Sequence, residues 1–149
     1  MPARTDADPR PFQRTTATRE GAGRVAAGPC VAVVAGEVSG DLLVAPALRV
    51  MHARASELRL VGIAGDRMIE AGCEAWHHVR ELSVRGYAEV ARALPRLLWL
   101  RHRLKQRILA EDCRALLGVD SPDFNLGLEA SVRAAGVPTL HFVSPSIWM

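Results

Sequence analysis

The stretch CVAVVAGEVSGD, Cys30 to Asp41, decides the fold. Its first six residues are a β-branched apolar run closed by Gly36, the pattern of a short strand buried on both faces. Gly36 and Gly40 then bracket Glu37, Val38 and Ser39, which predicts a tight turn from strand into helix with backbone N–H groups facing a crevice. Such a turn can hold an anion or a sugar hydroxyl; equally, Ser39 and Asp41 can serve only as helix caps. It lacks the lysine of a P-loop and the third glycine of a dinucleotide fingerprint. A literal Gly-x-Gly-x-x-Ala at Gly21, Gly23 and Ala26 precedes the strand instead of following it, so it carries no dinucleotide meaning.

Downstream, apolar strands and amphipathic helices alternate. A helix is expected over 42–55, a strand over 58–64, a short helix over 66–71 stopped at Gly72, and a weaker strand over 73–77. Helical segments follow over 87–94 and 96–111, with Pro95 separating or kinking them. A fourth strand over 115–119, a helix over 124–135 ending at Gly136 and a fifth strand over 139–143 complete the pattern. Alternation of this kind predicts an α/β fold: a Rossmann-like parallel sheet with helices on both faces and right-handed crossovers. The three least ordinary stretches, 36–41, 120–125 and 144–148, each follow an expected strand and so gather at one sheet edge, where open α/β sheets take ligands.

Composition narrows the class. A chain of 149 residues carries one α/β domain with a real core. No apolar run approaches the roughly 18 to 20 residues of a membrane span. Cys30, Cys73 and Cys113 are odd in number and widely spaced, against both a disulfide framework and a zinc site, and they fit a reducing cytoplasm. Residues 1–28 hold five arginines among Pro, Thr, Ala and Gly without an apolar core segment, and read as a disordered tail rather than a secretory signal; residues 29–149 form the domain. The net charge of +3 is therefore local: the domain is nearly neutral, yet Arg92, Arg96, Arg101, Arg103, Lys105 and Arg107 crowd into 92–107 with no acid among them.

Three further groups could carry chemistry. In GVDSPDFN, residues 118–125, Pro122 stiffens the turn and Asp123 or a neighbour is placed to cap the next helix. Asp120, last out of the strand, has no capping task and is the better general-base candidate. Ser144, Ser146 and Trp148 put two hydroxyls and a flat ring at another strand exit, a set suited to sugars. On a helical wheel Leu97, Leu100, Leu104 and Ile108 make a core stripe, while Arg96, Arg103 and Arg107 make another with Trp99 alongside, suited to an anionic membrane surface or a phosphorylated lipid. His77 and His78 are adjacent on a strand, so their side chains diverge and no joint metal site is expected.

The motifs GEVSGD (36–41), VGIAGDRMIEAGCEAW (61–76), GVDSPDFNL (118–126) and HFVSPSIW (141–148), in this order, resemble lipid-A-disaccharide synthase from about Val31 to Trp148. The resemblance implies an inverting, metal-independent and cofactor-free glycosyltransferase of the two-domain GT-B type. Such an enzyme joins UDP-2,3-diacylglucosamine to 2,3-diacylglucosamine 1-phosphate, releasing UDP and lipid A disaccharide 1-phosphate at the inner face of the inner membrane. It implies Asp120 as general base, Glu37, Ser39, Asn125, Ser144 and Ser146 as substrate-binding residues, and membrane or lipid contact by Arg96, Trp99, Arg103 and Arg107. Two positions depart from the pattern: Pro46, expected to shift or shorten the first helix, and Arg85, where methionine is usual. The family continues into a second, donor-binding domain, so these residues correspond to the acceptor side, expected to be inactive alone. The rival reading is a non-catalytic module that binds an anionic lipid or sugar phosphate; neither reading involves nucleic acid.

Overall fold

The computed structural model describes residues 28–82 and 87–143. In chain order the elements are β1 Cys30–Ala35, α1 Val38–Arg54, β2 Arg59–Ala64, α2 Asp66–Glu70, β3 Cys73–His78, a 3-10 turn Val79–Glu81, α3 Tyr87–Ala110, β4 Leu116–Val119, α4 Pro122–Ala134 and β5 Thr139–Phe142. All four strand pairings are parallel and the sheet order is β3-β2-β1-β4-β5. The expected Rossmann-like sheet is present. Its order reverses between β1 and β4, which makes the carboxyl ends of those two strands the switch point where such folds form a crevice.

β1 sits at the centre and Ala32, Val33, Val34 and Ala35 are all fully buried, which explains its unbroken apolar sequence. Helices cover it through Val44 and Leu48 of α1, Leu100, Leu104 and Ile108 of α3, and Leu128 and Val132 of α4. The core stripe expected on α3 is thus found, with Leu97 partly buried at its end. Gly62 has φ of 142°, and a Cβ there would stand 2.2 Å from the Val33 carbonyl oxygen, so only glycine fits between β2 and β1.

Helix ends differ from the sequence reading in three places. α1 begins at Val38, four residues before the expected start, because Gly40 belongs to its first turn: a Cβ at Gly40 would press on Val119 and Asp120 at 3.2 to 3.4 Å. Gly40 is there for close packing, not to break the helix. Pro46 lies inside α1 without shortening it, and Pro95 lies inside a continuous α3 instead of dividing it. In α1 the carbonyl released by Pro46 belongs to Leu42, a 62% exposed residue, so water can satisfy it. The 1–28 tail and Arg85 fall essentially outside the described residues, as do 144–149.

Each cysteine is buried. Burial pushes the Cys73 thiol up to about 12 and raises Cys30 and Cys113 as well, whose sulfurs lie 2.6 Å apart. Thiolate is the reactive form, so at pH 8 a thiol reagent is expected to modify none of the three in the native protein and all three after unfolding in denaturant. Absorbance of released chromophore from a disulfide reagent checks this.

β5 pairs with β4 alone among the described residues and presents Leu140, 67% exposed, and Phe142, 47% exposed. An apolar edge of this kind favours self-association. Leu140→Lys with Phe142→Lys is expected to lower the apparent mass in light scattering at high concentration without changing the far-UV circular dichroism spectrum.

Candidate functional site

Two strand exits meet at the switch point. After β1 the chain turns at Gly36, whose amide donates to the Val119 carbonyl at 3.1 Å. A Cβ on Gly36 would lie 2.0 Å from the Ser121 Cβ, so glycine is what lets the two loops touch. After β4, Asp120 and Ser121 both take left-handed backbone, with φ of 56° and 44°. Two successive non-glycine residues in that region cost on the order of 1 to 3 kcal/mol each. The strain turns the chain sharply and leaves Asp120 half-buried at the sheet edge.

Both carboxylate oxygens of Asp120 are held. Ser39 Oγ donates to Oδ2 at 3.0 Å, and the Ser121 amide donates to Oδ1 at 2.8 Å. Ser39 Oγ also lies 3.5 Å from Glu37 Oε2, making a Glu37, Ser39, Asp120 row across the crevice. Each oxygen keeps a further lone pair, so the group is oriented yet still able to accept a proton. Ser39 caps nothing: the N-cap of α1 is Glu37 and no side chain caps that end.

Asp41 is the larger departure. Expected either in the crevice turn or as a cap of its own helix, it is buried and caps α2, accepting from the amides of Gly65 at 3.0 Å, Met68 at 2.9 Å and Arg67 at 3.1 Å. This ties the first turn of α1, and hence Ser39, to the neighbouring crossover.

Asn125, expected among the substrate-binding residues, is fully buried. Its Nδ2 lies 3.1 Å from the carbonyls of Val34 and Val119 and 2.8 Å from that of Asp120, spanning the carboxyl ends of β1 and β4. Its place is beneath the crevice, where it fixes the two strand exits. Asn125→Leu is expected to lower the melting temperature by about 5 to 15 °C, since the carbonyls of Val34, Val119 and Asp120 lose the donor they share; differential scanning calorimetry checks this. Asp123 does not cap α4 either. The N-cap is Ser121, again without a side-chain bond, and Asp123 is exposed in the first turn. Pro122 at the first helical position supplies the fixed φ that starts α4.

Beside the row lies a cleft of about 500 Å³. Glu37, Ser39, Arg101, Ser121 and Asp123 are its polar lining. Val38, Leu82, Leu94, Leu97, Leu98 and Phe124 line it as well, so the cleft offers both polar and apolar groups to a ligand. In the sequence Arg101 stands out only as one of the basic residues of 92–107, because it fits neither helical stripe. The signal was available in Gly127: a Cβ there would stand 2.4 Å from Arg101 Nη1, so the glycine leaves room for the guanidinium to lie across α4.

The other basic residues of α3 divide. Arg96 donates to the Glu81 carbonyl, Arg107 lies 4.3 Å over the Trp76 ring and Arg103 lies 5.6 Å over Trp99. Trp99 is 58% exposed, with Leu98 beside it. Arg96 and Arg107 are thus also engaged with the protein's own β3 region, more than a freely solvated stripe would be. His77 pairs with Glu81 and His78 with Asp66, so the two rings take separate partners. The His78 hydrogen bond, then the charge of Arg80, hold the Asp66 carboxyl below the usual carboxylate range. Among the described residues no three His, Cys, Asp or Glu side chains gather as a metal site, and no helix is long and apolar enough to cross a membrane. Ser144 and Ser146 lie outside the described residues.

A parallel sheet with this strand order, its acidic and hydroxyl groups gathered at the switch point, defines a Rossmann-like ligand-binding domain of the type glycosyltransferases use. Comparison with known proteins makes this specific. The sequence model of the family described as Lipid-A-disaccharide synthetase matches residues 31–149. The chain belongs to the lipid-A-disaccharide synthase family, glycosyltransferases of lipid A biosynthesis. It is 52% identical over 116 residues to lipid-A-disaccharide synthase of Thiobacillus denitrificans, covering 78% of this chain and 31% of that protein. The Chromobacterium violaceum enzyme is 48% identical over 118 residues, covering 79% and 31%, and a Haemophilus influenzae enzyme 48% over 120 residues, covering 80% and 31%. The chain therefore spans about a third of the length of the curated relatives it matches.

Proposed function

We propose that this domain supplies the acceptor side of an inverting glycosyl transfer, in which Asp120 removes the proton from the acceptor hydroxyl of 2,3-diacylglucosamine 1-phosphate as UDP leaves the donor sugar. The observation that carries the reading is the Ser39 to Asp120 contact beside a cleft that Ser39 lines together with both polar and apolar groups. A diacylated sugar has the same mixed character: its ring and hydroxyls suit Glu37, Ser39 and the adjoining Asp120, and its acyl chains suit the leucines of the lining.

A base that acts in the transition state must be aimed before the reaction, and Asp120 is aimed by two donors on a strained turn. Glu37, next in the row, is placed to accept from a second sugar hydroxyl. The exposed Leu98 and Trp99 with Arg103 support docking of α3 at an anionic membrane surface, where acylated substrates reside. The non-catalytic reading leaves the two fixed oxygens of Asp120 without a task, so the catalytic one is preferred.

The matched residues correspond to about a third of the relatives' length, and the acceptor site is assigned to this third. Incubated with UDP-2,3-diacylglucosamine and the acceptor, it is expected to yield no disaccharide by mass spectrometry, whereas a full-length enzyme carrying these residues yields it. Disaccharide from the 149-residue chain would overturn the acceptor-side assignment.

A further inference from the structure

Arg101 is held in an unusual way for a residue on an exposed helix. Its guanidinium lies against the backbone of α4 at Gly127, 5.4 Å from the Phe124 ring centroid, and Nη2 donates to the Asp123 carbonyl at 2.9 Å. Its Nε–H is shut off from water and has no acceptor among the described residues. Two carboxylates, Glu37 and Asp123, line the same cleft, yet Arg101 forms an ion pair with neither. A guanidinium offers five donors, of which one is engaged among the described residues.

We infer that Arg101 is the phosphate-recognising residue of the cleft, selecting an acceptor that carries a phosphate monoester over the same sugar without one. The inference rests on the acceptor reading above. Three observations support it. The side chain is pinned on two sides, so little freedom is lost on binding an anion. It lines the same cleft as Glu37 and Ser39, so an anion held against it stays beside the groups that take the sugar hydroxyls. Its unengaged N–H groups match phosphate oxygens in geometry as well as charge. Glu37 and Asp123 oppose the anion, and they fix where it can sit: against the guanidinium, with the sugar hydroxyls turned toward Glu37 and Asp120.

The experiment uses the full 149-residue chain and two soluble ligands, a short-chain 2,3-diacylglucosamine 1-phosphate and the same sugar lacking the phosphate, titrated by calorimetry. The parent is expected to bind the phosphorylated ligand about 10-fold or more tighter, the span of a charged hydrogen-bonded contact. In Arg101→Gln the two ligands are expected to bind within about twofold of each other, with affinity for the unphosphorylated sugar unchanged. A merely structural role would weaken both ligands together and leave the ratio alone. Should Arg101→Gln melt, Arg101→Lys keeps the charge but loses the fork, and a ratio reduced several-fold is expected. A ratio that survives either substitution, or a parent that shows no preference, overturns the inference while leaving the acceptor site standing. A parent that binds neither ligand overturns both.

Discussion

Asp120→Asn, placed in a full-length enzyme carrying this domain, is expected to lower kcat by about 10²- to 10⁴-fold while leaving KM for the acceptor within a few-fold of its normal value. The substitution keeps size and one carbonyl oxygen, so the Ser39 or Ser121 donor retains a partner and the turn retains its shape. What disappears is the ability to take a proton. Asp123→Asn is the matched control: that carboxylate lines the adjoining cleft but is held by no donor among the described residues, and turnover is expected to fall much less. Equal losses for the two would remove the reason to single out Asp120. Steady-state rates under saturating donor, with melting curves for each variant, decide between these outcomes.

Asp41→Ala is expected to have the largest effect on stability. The buried carboxylate is shared by three backbone amides at the start of α2, and its removal leaves all three in a closed site with no replacement acceptor. Bonds to a charged group are each worth about 1.5 to 3 kcal/mol, and they do not sum fully, so a loss of about 3 to 5 kcal/mol is expected. For a domain of this size that is a fall of about 10 to 25 °C in Tm. Asp41→Asn, which keeps one acceptor oxygen, is expected to lose less than half as much. A Tm within about 3 °C of the parent for Asp41→Ala would show that water replaces the carboxylate there. Because Asp41 lies on the turn that presents Ser39, crevice function should fail with it.

Sequence alone revealed the sheet more fully than the site. Buried parallel strands must be apolar on both faces, and CVAVVA, RLVGIA and LLGV announce themselves by that constraint. Helix starts were harder to read, because glycines that serve close packing look the same as glycines that break a helix. Gly40 shifted the expected start of α1 by four residues for this reason. Prolines misled in the opposite direction: Pro46 and Pro95 are tolerated where the helix faces water, a property of the tertiary fold and not of the local sequence.

At the site, strand exits identified the loops that would meet, and Ser39 and Asp120 do meet. The division of labour among the polar residues was not legible. Asp41 and Asn125 look from their types like crevice residues, yet both are buried braces whose partners lie up to 91 positions away in the chain. Arg101 was hidden for the complementary reason, since its cleft is assembled from α1, α3 and the β4 to α4 turn and exists only once those have packed.

These elements make one physical arrangement: Asn125 fixes the strand ends, Asp41 fixes the first turn of α1, and Ser39 with the Ser121 amide holds Asp120 beside the cleft that Ser39 lines. The most direct check is titration of short-chain 2,3-diacylglucosamine 1-phosphate into the ¹⁵N-labelled chain. Saturable amide shifts are expected at Gly36 to Ser39, at Ser121, Asp123 and Phe124, and at Leu97 to Arg101, with the amides lining the amino end of the sheet near Cys113 and Val137 unmoved. Shifts confined to that opposite end, or no saturable shift at the crevice, would contradict the acceptor site and with it the role given to Asp120.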